Sequence, residues 1–296
     1  VLEQGYTSLH KGGWDRSVAR SGLVGVFIGI EMHDFEQTLA SSPMGTSVYA
    51  ATGSSLSIAS GRISYVLGLQ GPCGSYDTAC SAAVVAMHAA RRAVQLGESA
   101  SSLALGVNLM LMPSVGTSFA VAGMTSPTGR CHTFDHRADG YARGEACCAA
   151  SIEHGDEATT LLASGSAVRQ DGRSASLTAP NGLAQQGLLR ASLADAGVSA
   201  LELTCAEAHG TGTALGDPIE AGSLAATVLN VSAVVGVGSG KANVGHAEPA
   251  AGATGLLKLA LQLQHSQTAV NAQLVVLNPH VGAVVGGLAC VLPQQA

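Results

Sequence analysis

The run Asp77-Thr78-Ala79-Cys80-Ser81-Ala82-Ala83 places a thiol at the head of a long stretch of small and apolar residues. That stretch, Cys80 to Leu96, has helical spacing and stops at Gly97, a residue suited to a helix C-cap. A thiol in the first turn of a helix lies in the field of unpaired backbone N–H groups and of the positive end of the macrodipole, which favours the thiolate. Cys80 is therefore the candidate nucleophile. Its ordinary alternative is a buried structural cysteine, a common fate of free thiols. Further along the chain, His209 stands before Gly210-Thr211-Gly212-Thr213, and His246 ends Asn243-Val244-Gly245-His246. Glycines of this kind let backbone and imidazole come close to a ligand. Together with Cys80 they form a Cys-His-His set, the chemistry of an enzyme that handles acyl thioesters.

Composition bounds the class around that set. The chain has 296 residues, 47% of them hydrophobic, 38 of them glycine and only 11% charged, so it can bury a large core as one domain or as two closely packed halves. The net charge of −6 is spread without a basic cluster, which argues against a nucleic-acid partner. Residues 99–129 carry no charge, yet Asn108, Pro113 and repeated Ser and Gly point to a buried strand and an apolar active-site loop, and no membrane span is expected. Seven cysteines, an odd number with no C-x-x-C pair, predict reduced thiols in an intracellular, reducing compartment and no metal site. Cys147-Cys148 reads as part of a buried strand, and Val1 to Gly13 carries no secretory pattern.

Short β-rich runs alternate with helical stretches, which predicts an α/β fold. Strands are expected at Val24 to Ile30, Leu103 to Val107, Cys147 to Ile152, Leu161 to Val168, Leu203 to Ala208 and Ala233 to Val237. Besides the Cys80 to Leu96 stretch, helices are expected at Gly182 to Ala196, Pro218 to Leu229 and Ala250 to His265, with Pro218 in a first turn. No short repeat and no linker separates the parts, so the expectation is a single domain, 1–296. Its halves would be 1–153, with the nucleophile, and 154–296, with both histidines.

Five segments carry a family resemblance: DTACSAA (77–83), FDHRADGYARGEA (134–146), LTAPNGLAQQ (177–186), EAHGTGTALGDPIEA (207–221) and KANVGHAEPAAG (241–252). They resemble the signature blocks of β-ketoacyl synthase domains, most closely those of type I or modular polyketide and fatty-acid synthases. The resemblance implies a thiolase-like fold, two related halves in five α-β-α-β-α layers, usually in a homodimer. It also implies a domain incomplete at both ends, lacking a first strand and a Gly-Phe-Gly-Gly-Thr-Asn type of loop that would complete the oxyanion hole. The chain departs from the family's usual pattern at Ala82 and Ala83, where serines are commoner, at Arg169 and at Pro249, residues that bear on pocket shape.

By that resemblance Cys80, His209 and His246 are the catalytic set. Cys80 would take an acyl group from an acyl carrier protein, and the two histidines, as neutral N–H donors, would stabilise the enolate left when a malonyl-type thioester loses CO₂. The substrates would ride on the phosphopantetheine of the carrier, with no cofactor in this domain itself, and neighbouring synthase domains would be further partners. Lys241 is expected to support the site by keeping His246 unprotonated and attracting the substrate carboxylate. Asp217 and Glu248 are supporting candidates, as are Glu220 and Glu145 with less claim to a role. For Asp217, directly before Pro218, helix N-capping is the expected function. His88 reads as a structural histidine, and Arg91 and Arg92 as a solvated helix end.

Overall fold

The structure is a computed structural model that describes residues 1–14, 22–31, 33–155, 161–230 and 233–294. The chain forms two compact units, each gathered from three stretches. The first comprises Val1–Thr117, Gly144–Leu162 and Ala247–Thr254; the second comprises Ser118–Arg143, Ala163–His246 and Gly255–Ala296.

The first unit is built on a four-stranded sheet in the order β2-β1-β3-β4. Strand β1 (Val24–Gly29) runs parallel to β2 (Cys73–Tyr76) and to β3 (Ser101–Asn108), while β4 (Ala146–Glu153) is antiparallel to β3. Every residue of β1 and β3 is buried, which explains why both read as continuous runs of apolar and small residues rather than as alternations. The period of two still decides which layer each side chain joins. Val24, Val26 and Ile28 pack with Leu9, Ile63, Leu103 and Leu105, whereas Phe27 joins Ala86, Ala90, Ala93 and Ala104 on the opposite face. Each of these larger aliphatic side chains contributes about 1.5–3 kcal/mol by leaving water.

In the second unit three parallel strands, β5 (Cys205–Glu207), β6 (Val235–Gly238) and β7 (Cys290–Val291), lie in the order β5-β6-β7. Its core gathers Phe134, Ala208, Leu224, Leu229, Val235, Leu274 and Val281. The helix Gly182–Ala196 has the bounds its caps dictate. The Asn181 side chain accepts from the N–H groups of Leu183 and Ala184, and Gly197 ends the helix at φ 68°.

Strands form at five of the six expected places. The exception is Leu161 to Val168, where residues 161–170 form no strand and Leu161, Leu162 and Val168 are exposed by 40%, 70% and 50%. An apolar run becomes a strand only where a neighbour offers N–H and C=O groups in register, and no ladder among the described residues includes this one. The helix expected at Pro218 to Leu229 instead runs Gly216–Leu224 and widens into a π-helical turn at Ala225–Leu229. Cys147 and Cys148 lie on β4 but are only half-buried, since β4 borders the sheet on one side alone. Arg91 is buried at 7% exposure rather than part of a solvated helix end. Among the described residues no helix is long and apolar enough to cross a membrane.

Candidate active site

Cys80 stands two residues ahead of the helix Ala82–Gln95, in the turn that joins it to β2. Ala79, directly before it, has φ 51°, a left-handed conformation that costs a residue with a Cβ roughly 1–2 kcal/mol. Local bonds hold that turn. Ser81 Oγ donates to Thr78 O at 2.8 Å and to Thr78 Oγ1 at 2.9 Å, Ala79 N–H donates to Asp77 Oδ1 at 3.4 Å, and Ala82 N–H donates to Ala79 O at 3.0 Å.

The helix that follows is seated on glycine. Gly29 of β1 and Gly106 of β3 are register partners, and a Cβ built on Gly29 would fall 2.3 Å from the backbone nitrogen of Ala83. One built on Gly106 would fall 2.7 Å from the Ala83 Cβ. Two bare positions side by side thus let the first turn of the helix lie directly on the sheet, and Ala82, Ala83 and Ala86 fill the contact at 0–2% exposure. The alanines that depart from the family's usual serines are the residues that meet this floor.

In the second unit the two histidine rings stand 5.5 Å apart, centroid to centroid, at 88°. The Tyr141 ring meets His246 edge-on at 4.9 Å. His246 is buried, and burial, then the Lys241 charge, then His209 lower its pKa from 6.5 to about 2. Burial and then Lys241 lower His209 from 6.5 to about 3. His209 keeps exposed surface, so it sheds less hydration than the atoms packed around it imply; the direction, a neutral imidazole at pH 7, is the same either way. Two neutral imidazoles side by side can offer N–H groups to one oxygen without carrying charge into the site.

Acidic side chains hold the peptide that bears His209. Glu220 Oε1 accepts from the His209 N–H at 2.6 Å and Oε2 from the Gly210 N–H at 2.8 Å. Asp217 is not the N-cap of its helix, as was expected from its place before Pro218. The N-cap is Leu215, without a side-chain bond, and Asp217 lies inside the first turn with its carboxylate turned toward the loops. There Oδ1 accepts from Gly212 and Thr213 N–H at 3.1 and 3.3 Å, and Oδ2 from Phe134 N–H at 2.8 Å. Burial raises the Asp217 pKa from 3.8 to about 6 even against those donors.

Glu207 accepts from Lys258 Nζ at 2.6 Å and from the Gly240 N–H, which ties the end of β5 to the turn before Lys241. Lys241 opens the short helix Lys241–Val244 that leads to His246, and the His246 N–H donates to Ala142 O at 2.7 Å. Glu248, buried at φ 45°, belongs to the first unit, where it accepts from Asn108 Nδ2 at 3.2 Å. Glu145 accepts from the Met110 N–H at 2.7 Å.

Sequence reasoning did not single out Ala79, the Gly29–Gly106 pair, Tyr141 or the carboxylate bonds of Glu207. A glycine closing an otherwise apolar strand was the available signal for Gly29. Nothing local foretold the φ of Ala79.

Two family models match the chain, one described as the β-ketoacyl synthase N-terminal domain over residues 1–158 and one as the C-terminal domain over residues 162–274. A phenolphthiocerol/phthiocerol polyketide synthase polypeptide of Mycobacterium tuberculosis is 39% identical over 290 residues, which is 95% of this chain and 13% of that protein. An erythronolide synthase of Saccharopolyspora erythraea is 38% identical over 95% of this chain and 8% of its own length. Among solved structures, the ketosynthase from module 6 of the bacillaene synthase of Bacillus subtilis 168 superposes with a TM-score of 0.90 at 30% identity, covering 99% of this chain and 52% of that one. An oxazolomycin ketosynthase domain of Streptomyces albus JA3453 gives 0.89 at 29% identity over 99% of this chain. The chain therefore spans about half of those solved chains and a small part of the curated relatives. The likeness gives it the thiolase-like α/β fold of two related halves.

Proposed function

This chain belongs to the β-ketoacyl synthase family, and from that membership we propose that it extends acyl thioesters by decarboxylative condensation in polyketide synthesis. The observation that carries the reading furthest is the pair of low-pKa histidines beside Lys241. Family membership and the motif blocks support placing Cys80 in the same reaction.

In the first step the Cys80 thiolate attacks the carbonyl of a carrier-bound acyl thioester, the carrier thiol leaves and takes up a proton, and the acyl group is held on sulfur. The Cys80 backbone N–H is the proposed donor to the transient oxyanion, and a preorganised donor of this kind is worth about a hundred- to a thousandfold in rate. In the second step the bond to the carboxylate of a malonyl-type thioester breaks and CO₂ departs. The electron pair becomes an enolate whose oxygen accepts N–H groups from His209 and His246. The enolate carbon then bonds to the acyl carbon, expels the Cys80 thiolate and leaves a β-ketoacyl thioester two backbone carbons longer. Neutral imidazoles suit this role because an N–H donor is needed before the negative charge develops. Lys241 supports them by opposing their protonation and by attracting the substrate carboxylate.

On this reading the chain works as one ketosynthase domain with halves 1–153 and 154–296, and needs no cofactor beyond the phosphopantetheine that carries its substrates. An acyl carrier protein, a second copy of the chain in a homodimer and neighbouring synthase domains are its proposed partners. Seven unpaired thiols support a reducing, intracellular setting. A scaffold role without catalysis is the weaker reading, since Cys80, His209 and His246 all stand in their motif blocks and the relatives named above are synthases. Mass measurement after incubation with an acyl thioester decides the matter: the parent protein should gain one acyl mass and Cys80→Ala none. An adduct that persists in Cys80→Ala overturns the assignment.

A further inference from the structure

The carboxylates of the helix Gly216–Leu224 are unevenly explained by the roles given so far. Glu220 and Asp217, three residues apart on this helix, both reach the loop that carries His209. Between them they take the backbone N–H groups of His209, Gly210, Gly212 and Thr213. The loop needs such holding, because Gly210 and Gly212 both turn it at positive φ, 48° and 75°. Its carbonyls are held as well: Ser239 Oγ donates to His209 O at 3.3 Å and Thr133 Oγ1 to Gly210 O at 2.6 Å.

The backbone of His209 is thus fixed at its N–H by Glu220 and at its C=O by Ser239, which leaves only the side-chain torsions to set where the imidazole points. We infer that Glu220 is a positioning residue for His209, clamping two successive N–H groups with two oxygens so that the imidazole N–H is aimed before the enolate forms. This rests on the condensation proposed above. A carboxylate is the group the geometry asks for. Glutamine would bring one oxygen and one NH₂, so that a donor would face the N–H of either His209 or Gly210 and leave it unpaired.

The test is Glu220→Gln with the two half-reactions measured separately. Decarboxylation of a malonyl thioester should fall by about ten- to a hundredfold in kcat with KM changed by less than about threefold. Acyl transfer to Cys80, read as mass gain, should fall by less than about threefold. The ring ¹H–¹⁵N signals of His209 should shift while the unfolding temperature stays within a few degrees of the parent. Decarboxylation at the parent rate overturns the inference, and so does an equal loss of both half-reactions with a lowered unfolding temperature, the mark of a structural role. A parent protein that neither acylates nor decarboxylates would sink the condensation reading. The clamp is then judged by the ring signals: unchanged in Glu220→Gln they overturn it, shifted at unchanged unfolding temperature they support it.

Discussion

The first unit places its reactive group by backbone shape, with a left-handed alanine before Cys80 and a floor of two facing glycines under the helix behind it. The second unit places its histidine pair by buried charge: Lys241 acts on both rings, Glu220 and Asp217 bind the loop, and Glu207 pairs with Lys258. The difference follows from the demands of the two groups. A thiolate has to be presented at a defined point, which packing can do. An imidazole also has to keep one protonation state, which only desolvation and neighbouring charge can enforce.

The comparison breaks most sharply at Cys80. Cys80→Ala should lower acyl transfer by about a thousandfold or more, roughly 4 kcal/mol of barrier, while malonyl decarboxylation remains measurable, since the enolate is served by the other unit. Loss of both activities in single-turnover assays would show that the two groups are not prepared independently. Next in size is the glycine floor. Gly29→Ala forces a Cβ to within 2.3 Å of backbone and should cost about 3 kcal/mol in urea unfolding. Gly61→Ala, in the helix Leu56–Leu67 with nothing within 4 Å, should instead stabilise by about 0.5–1 kcal/mol. Equal effects at the two positions would refute the floor.

The charged side of the comparison is sharpened by pH. Below about pH 6.5 the unfolded chain takes up a proton that the buried His246 ring, held at about 2, refuses, so the folded state loses up to about 1.4 kcal/mol per pH unit on acidification. Asp217 acts in the opposite sense. Raised from 3.8 to about 6, it holds a proton in the folded state between those values, so its contribution is complete below about 3.8 and is lost as pH rises through 6. His246→Asn removes the first effect and leaves the second. Urea titrations between pH 6 and 4 should show the variant gaining on the parent by about 1.4 kcal/mol per pH unit. Parallel pH curves would mean that His246 is protonated in the folded chain.

What could be read beforehand followed from how local each feature is. The helix Gly182–Ala196 was legible to the residue because Asn181 and Gly197 are chemical stops. Strands β1 and β3 were legible because burial on both faces leaves an unbroken apolar run. Leu161 to Val168 has the same look and forms no strand, since a ladder needs a partner that composition cannot reveal. Cys80, His209 and His246 stood out through their motif blocks. The function of Asp217 did not, because its three donors come from residues 134, 212 and 213, and a cap is the reading that sequence proximity favours. The φ of Ala79 is likewise a property of the turn, invisible in an alanine.

The three-residue spacing of Asp217 and Glu220 has a consequence for grafting segments between related synthases. One residue inserted or removed between them turns the later carboxylate by about 100° around the helix axis and away from its two N–H partners. The stretch from His209 through Glu220 therefore transfers as a single block. A crossover within 209–220 would join a loop cut for one helix to carboxylates spaced for another, whereas a junction beyond Leu224 keeps both in step.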